Sequence, residues 1–190
     1  MRCGLMMDDY PLTLTHVVER AEQLSPGRKV VSRRPDGSIH RYTLGESAQR
    51  ARRVAAGLKE LGVGEGDRVA TLLWNQPEHL ELYFAVPLMG AVLHTLNPRL
   101  HPDELGFIVA DAADTVVVVD ESLLEVFETF RSAQDFEHVI VVSHSGSVPD
   151  GAVDYESLAS QGQPMEWPRL DERHACSMCY TSGTTGRPKG

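Results

Sequence analysis

The chain has 190 residues, 42 % of them hydrophobic, which suits one domain, or part of a larger one, with a core of useful size. Its formal net charge of −9, from 18 Lys and Arg against 27 Asp and Glu, opposes contact with phosphate backbones, so we expect no nucleic-acid partner. No apolar run approaches the roughly 18 residues that span a bilayer, and the start lacks a signal-peptide stretch. The 3 cysteines are too few for a disulfide framework. We therefore expect a cytoplasmic protein without a transmembrane segment.

The first predicted elements are a short helix and a β-hairpin. Thr13 or Thr15 can cap the helix. Two strand-like runs follow at residues 29–34 and 38–43, and the Asp36-Gly37 pair between them is typical of a hairpin turn. The helix is predicted from apolar residues at helical spacing, namely Val17, Val18, Ala21 and Leu24.

A longer helix is predicted directly after the hairpin. Glu46 stands three residues after Thr43, which is the spacing of a capping box. Gly62 is placed to end the helix in a left-handed conformation. One apolar face is formed by Leu44, Ala48, Ala51, Val54, Ala55, Leu58 and Leu61.

From Arg68 onward, strand-like and helix-like segments alternate, and this alternation predicts an α/β fold. We expect a mostly parallel sheet with helices on both faces, preceded by the small N-terminal β-hairpin. A connection rich in Ser, Gly, Pro and Asp, with one short helix near residues 155–159, should then lead to a last strand at 175–180. The other strands are predicted at 68–74, 91–95, 115–120 and 138–142, and the helices at 75–90, 101–110 and 123–130.

The stretch YTSGTTGRPKG, residues 180–190, follows the last predicted strand and has no apolar periodicity. A glycine-rich loop at the carboxyl end of a parallel strand can turn its N–H groups toward an anion. The loop differs from the Walker A pattern, because no Gly-Lys-Ser/Thr sequence follows at the required spacing. We expect a cradle for a polyphosphate rather than a flexible linker, with hydroxyl groups from Thr181, Ser182, Thr184 and Thr185 and a positive charge from Lys189. Thr181, at the strand end, could also ligate a Mg²⁺ that accompanies a nucleotide.

The string TSGTTGRPKG resembles the signature phosphate loop of the adenylate-forming (AMP-binding) superfamily, which includes acyl-CoA synthetases. GVGEGDRVA at 62–70 resembles the amino-terminal region of the same enzymes, and YFAVPLMGAVLHTLNPRL at 83–100 is most similar to medium- and long-chain fatty acid–CoA ligases. The resemblance implies ATP, Mg²⁺, coenzyme A and a fatty acid as ligands, and a possible homodimer. It also implies that Thr181 is the Mg²⁺ ligand, and that the phosphate-loop residues are Thr181, Ser182, Gly183, Thr184, Thr185, Gly186 and Lys189.

The resemblance also implies a protein much longer than this chain. We expect residues 1–190 to be the N-terminal portion of an adenylation domain, without the rest of that domain or the small C-terminal domain, and to be inactive alone. No catalytic residue is assigned within them. Two alternatives stay open: an enzyme that adenylates another carboxylate, such as an aryl or amino acid, and a non-catalytic phosphate-binding or assembly module.

A few other residues could carry chemistry. Cys176 and Cys179 could form half a zinc site or a redox pair, but no second pair accompanies them, so we expect two small buried side chains. A catalytic dyad and a structural role both stay open for His94. Asp120 ends a predicted strand as a ribose-binding acid would, but no glycine fingerprint precedes it. For Trp74, Tyr83 and Phe84 we expect core packing rather than substrate contact.

Overall fold

A computed structural model describes residues 10–34, 36–181 and 186–190. The elements follow the alternation that the sequence predicts, with two short 3₁₀ turns at Glu121–Leu123 and Arg131–Ala133. The helices are α1 Thr15–Leu24, α2 Leu44–Glu60, α3 Pro77–Leu88, α4 Pro102–Ala112, α5 Leu124–Glu128 and α6 Tyr155–Gln161. The strands are β1 Lys29–Arg33, β2 Ile39–Thr43, β3 Arg68–Leu72, β4 Val92–Thr95, β5 Val116–Asp120, β6 His138–Val142, β7 Val153–Asp154 and β8 Ser177–Met178.

Six strands form one sheet in the order β7-β6-β5-β3-β4-β8, and every neighbouring pair is parallel. The chain leaves β3 through α3 to β4 on one side, then returns through α4 to β5 on the other side. Strands β1 and β2 pair separately as an antiparallel hairpin. The predicted α/β class, the parallel sheet and the hairpin are therefore confirmed.

Helices cover both faces of the sheet. Successive residues of a strand point to opposite faces, so each strand contributes to the core on both sides. On β5, Val116 and Val118 join a core cluster with residues of α2, α3 and α6, whereas Val117 and Val119 join a second cluster with residues of α4 and α5. Within the part of the chain that the structure describes, no helix has the length and apolarity that crossing a membrane requires.

The start of α2 matches its sequence signal. The Thr43 hydroxyl accepts from the Glu46 N–H at 3.1 Å, and the Glu46 carboxylate accepts from the Thr43 N–H at 2.6 Å, so the capping box is confirmed. Gly62 has a φ of +95°, as the end of the helix requires.

Several local predictions are wrong. Helix α1 begins after Leu14 without a side-chain cap, so neither Thr13 nor Thr15 fills that role. Of its apolar residues only Val18 is buried, where it packs with Ala48 and Leu88. The last predicted strand is reduced to Ser177–Met178. Strand β7 was not predicted, since two residues carry no recognisable period.

Candidate functional site

The phosphate loop begins at the carboxyl end of β8, beside β4. Leu93 pairs with Ser177 and His94 with Met178, so β8 adds to the sheet next to β4. The loops after β3 and β4 lead to helices on opposite faces, and ligands of open α/β sheets bind beside such a reversal. The position of the loop therefore agrees with a ligand site at this edge.

The described ends of the loop are joined by backbone hydrogen bonds. The Thr181 N–H donates to the Lys189 carbonyl at 3.0 Å, and the Lys189 N–H donates to the Thr181 carbonyl at 3.2 Å. Both residues are exposed, as is Gly186, whose φ of +110° favours glycine. The predicted residues Ser182, Gly183, Thr184 and Thr185 lie outside the described residues. The structure thus brings Thr181 and Lys189 together at the mouth of the loop.

Helix α4 contacts the chain on both sides of this mouth. Before the loop, the Tyr180 hydroxyl donates to an Asp111 carboxylate oxygen at 2.6 Å. Burial, and then this hydrogen bond, raise the pKa of Tyr180 to about 12, so the phenol keeps its proton at neutral pH. After the loop, the Arg187 guanidinium lies 5.0 Å from the centre of the Phe107 ring. These contacts were not predicted, because nothing in the sequence pairs residues so far apart.

A fully buried histidine–aspartate pair lies behind Tyr180. The His94 Nδ1 atom is 2.8 and 2.9 Å from the two carboxylate oxygens of Asp114, and both side chains are inaccessible to solvent. The His94 ring centre is 5.3 Å from that of Tyr180, and its Nε2 atom has no hydrogen-bond partner among the described residues. Burial raises the pKa of Asp114, although the bond to His94 opposes this rise. The arrangement favours the structural role for His94 over a catalytic one.

The charged and polar groups at the described ends of the loop fit a nucleoside triphosphate with its metal ion. Exposed Lys189 supplies a positive charge, and Thr181 supplies a hydroxyl oxygen, a hard ligand of the kind that Mg²⁺ accepts. Within the described residues, no three His, Cys, Asp or Glu side chains are grouped to hold a metal ion.

Comparison with known proteins shows the family of this chain. A sequence profile described as "AMP-binding enzyme" matches residues 18–190. The chain belongs to the AMP-binding enzyme family. It is 48 % identical over 186 residues to the long-chain-fatty-acid–CoA ligase of Thermus thermophilus, covering 97 % of this chain and 34 % of that protein. It is 38 % identical over 193 residues to the medium-chain-fatty-acid–CoA ligase of Ectopseudomonas oleovorans, covering 98 % and 35 %.

A solved structure shows the same fold. The crystal structure of the anthranilate CoA ligase AuaEII in complex with anthranoyl-AMP matches with a TM-score of 0.85 and 26 % identity, covering 97 % of this chain and 35 % of that one. The chain therefore spans about a third of the length of the curated relatives it matches. The resemblance to adenylate-forming fatty acid–CoA ligases is confirmed at the level of the family.

In this AMP-binding chain, a second polar cluster stands at the carboxyl end of β5. Buried Asp120 contacts His144 Nε2 at 2.9 Å and accepts from the Ser122 hydroxyl at 2.6 Å, while Trp74 Nε1 donates to that hydroxyl at 3.0 Å. Hydrogen bonds from Ser145 and His144 lower the pKa of Glu121 to about 2. These bonds fix the turn after β6. They give the buried Asp120 carboxylate a structural role.

Two expectations about burial are wrong in this AMP-binding chain. Cys176 and Cys179 are exposed, because β8 lies at an edge of the described sheet and is only two residues long. Trp74 and Tyr83 are 40 % and 45 % exposed. Trp74 donates to Ser122 after β5, and Tyr83 lines a pocket with residues of β1, whereas Phe84 packs against the core.

A cavity of about 930 Å³ in this AMP-binding chain lies away from the phosphate loop. It opens between the hairpin and the first turns of α2, α3 and α6, and its lining carries charges of both signs. At its base, Glu81 is fully buried, accepts from Arg50 Nε at 2.7 Å and from the Tyr155 hydroxyl at 2.9 Å. Arg50 also forms two hydrogen bonds to Glu156, so this network ties three helices together.

Proposed function

We propose that the whole protein containing this chain is an ATP-dependent fatty acid–CoA ligase. A fatty acid carboxylate would attack the α-phosphate of ATP, giving an acyl-adenylate and pyrophosphate. The thiol of coenzyme A would then attack the acyl carbon and release AMP, giving a thioester. Residues 1–190 would form the N-terminal portion of the adenylation domain. The observation that carries the proposal is the signature loop, closed by the Thr181–Lys189 backbone pair at the end of a parallel strand.

The role of this chain would be to hold the part of ATP that leaves. Negative charge increases on pyrophosphate as the bond to the α-phosphate breaks, and donors fixed in advance stabilise that charge. The backbone N–H groups of Gly183 and Gly186, the hydroxyl groups of Ser182, Thr184 and Thr185, and the Lys189 ammonium group would contact the β- and γ-phosphates. Mg²⁺, when bound, would neutralise part of the same charge, with Thr181 as its ligand.

The fatty acid is the preferred substrate class because of the 48 % identity to a long-chain and the 38 % identity to a medium-chain ligase. An aryl acid is the second candidate, because the fold also matches the anthranilate CoA ligase AuaEII at a TM-score of 0.85. Exchange of pyrophosphate into ATP, measured with purified whole protein and either kind of acid, separates the two. Faster exchange with fatty acids supports the first, and exchange with aryl acids alone contradicts it.

The phosphate-binding role is tested by Lys189→Ala and by the double change Thr184→Ala, Thr185→Ala in the whole protein. We expect each to reduce the rate of fatty-acid-dependent exchange by about 10²-fold, the usual effect of removing one preorganised donor. Lys59→Ala, in the last turn of α2, is the matched control and should leave the rate unchanged. An undiminished rate in both loop variants would remove the mechanism from this proposal.

The 190-residue chain should not catalyse exchange by itself, because it spans only about a third of its relatives' length. Fatty-acid-dependent exchange by the purified chain would contradict that expectation. The homodimer and the cytoplasmic location stay predictions, and sedimentation of the whole protein tests the first.

A further inference from the structure

We propose that Asp111 and Phe107 of α4 are positioning residues for the phosphate loop, one for each of its ends. The proposal rests on the proposed function, in which the loop holds the triphosphate of ATP. Neither residue belongs to the signature sequence. Their effect on ATP would pass through Tyr180 and Arg187.

The first step of the argument is that both ends of the loop contact one helix. The Tyr180 hydroxyl donates to Asp111 at 2.6 Å immediately before the loop, and Arg187 packs on the Phe107 ring at 5.0 Å near its end. A phenol donating to a carboxylate and a guanidinium over an aromatic face are both favourable contacts. Together with the Thr181–Lys189 backbone pair, they restrain the mouth of the loop at three places.

The second step is that α4 is itself rigidly placed. Leu105, Ile108, Val109 and Ala112 are buried against the sheet. At the other end, the His101 side chain and the Glu104 carboxylate form a reciprocal cap. A Cβ atom added at Gly106 would meet Ala133 at 3.1 Å, so the helix also fits closely against the chain that follows α5. The helix can therefore serve as a fixed reference for the loop.

The third step concerns energy. A chain segment that is ordered only when it binds a ligand loses conformational freedom in binding, and that loss weakens the binding. Fixing the loop's two ends beforehand reduces the loss. The contacts to α4 should therefore strengthen binding of ATP and pyrophosphate without changing affinity for the acid. A purely structural role would instead lower the melting temperature and would impair the exchange kinetics for ATP and for the acid to the same extent.

The experiment uses the whole protein with Tyr180→Phe, Asp111→Ala and both changes combined. We expect the KM for ATP in the exchange reaction to rise roughly fivefold in each single variant, which corresponds to about 1 kcal/mol of lost hydrogen bonding. The KM for the fatty acid and the melting temperature should stay unchanged. Since both changes remove the same hydrogen bond, the double variant should resemble the single ones. Phe107→Ala tests the other end, and Asp103→Asn, an exposed aspartate of the same helix, is the control.

A second readout does not need activity. The amide hydrogens of Thr181 and Lys189 bond each other's carbonyls, so their exchange with deuterium should accelerate in the Asp111 and Phe107 variants. An unchanged KM for ATP together with unchanged amide exchange would overturn the proposal. The proposal would also be overturned if the exchange kinetics for ATP and for the acid were impaired equally, in proportion to a fall in the melting temperature. If the unaltered protein shows no acid-dependent exchange of pyrophosphate, the proposed function fails, and the amide measurement still decides whether α4 holds the loop.

Discussion

Glu81 gives a direct test of how burial and ion pairing compete in this fold. Its side chain is fully buried between α2, α3 and α6, where it meets Arg50 at 2.7 Å and Tyr155 at 2.9 Å. Burial raises the pKa of this carboxyl group to about 7, although the hydrogen bond and charge of Arg50 oppose the rise. The informative change is Glu81→Gln, which keeps the shape and the hydrogen-bonding oxygen but removes ionisation.

The magnitude follows from linkage between proton binding and folding. A pKa that rises from 4.5 in the unfolded chain to about 7 in the folded chain means that the folded state holds the proton more tightly. The stability that the protonated group contributes is complete below pH 4.5 and is lost as the pH rises through 7. At about 1.4 kcal/mol for each pH unit, the loss amounts to about 3 kcal/mol. The glutamine side chain of the variant cannot ionise, so the variant escapes this loss.

The assay is urea unfolding of the chain and its variant between pH 4.5 and about 8, followed by tryptophan fluorescence. We expect similar stabilities at the acidic end and a variant that gains about 3 kcal/mol on the parent chain at the alkaline end. Asp114, whose pKa is also raised, contributes equally to both proteins and cancels in the difference. The control is Glu156→Gln, because Glu156 pairs with the same arginine but its side chain is 58 % exposed. Its effect should stay near or below about 1 kcal/mol at every pH.

Two results would refute the reasoning. A stability difference between Glu81→Gln and the parent that is constant with pH would show that the carboxyl group has an ordinary pKa. A variant that loses stability relative to the parent as the pH rises would show that pairing with Arg50 outweighs the cost of burying the charge. Either outcome would change the account of how α2, α3 and α6 are held together.

Substitutions at three further positions test single contacts by the same unfolding measurement. Asp114→Ala leaves buried His94 without its partner and should cost about 3–5 kcal/mol, whereas Asp114→Asn, which keeps a hydrogen-bonding group, should cost clearly less; equal costs would contradict the pairing. Gly57→Ala places a Cβ atom 2.7 Å from Leu158 Cγ and should cost about 1–3 kcal/mol, unless α6 shifts freely. Thr43→Ala removes the capping box of α2 and should cost about 1 kcal/mol; an unchanged midpoint would exclude that role.

The sequence predicted those parts of the fold that local chemistry determines. The capping box at Thr43, the turn at Gly37 and the valine run of β5 each carry a signal within a few residues. The alternation of strands and helices then required a parallel sheet. The identity of the loop could be predicted for the same reason, since its glycines, hydroxyl groups and lysine are contiguous.

The features that the sequence could not predict depend on the order of strands in the sheet and on contacts between residues far apart along the chain. The exposure of Cys176 and Cys179 follows from the place of β8 at the edge of the described sheet. Tyr180 and Asp111 are 69 residues apart, and no local pattern joins them. Asp114 lies just after α4, where its polar side chain reads as part of a surface turn, yet it is buried beside His94.

The position of β8 has a consequence for how the protein acquires its shape. Strand β8 pairs only with β4 among the described strands, and its partner residues are far away along the chain. Closing such a distance is entropically costly until β4 is already held by β3 and α3. We therefore expect the chain after β8 to become ordered late in folding, so protection of the Thr181 amide during refolding should trail that of β3 and β5.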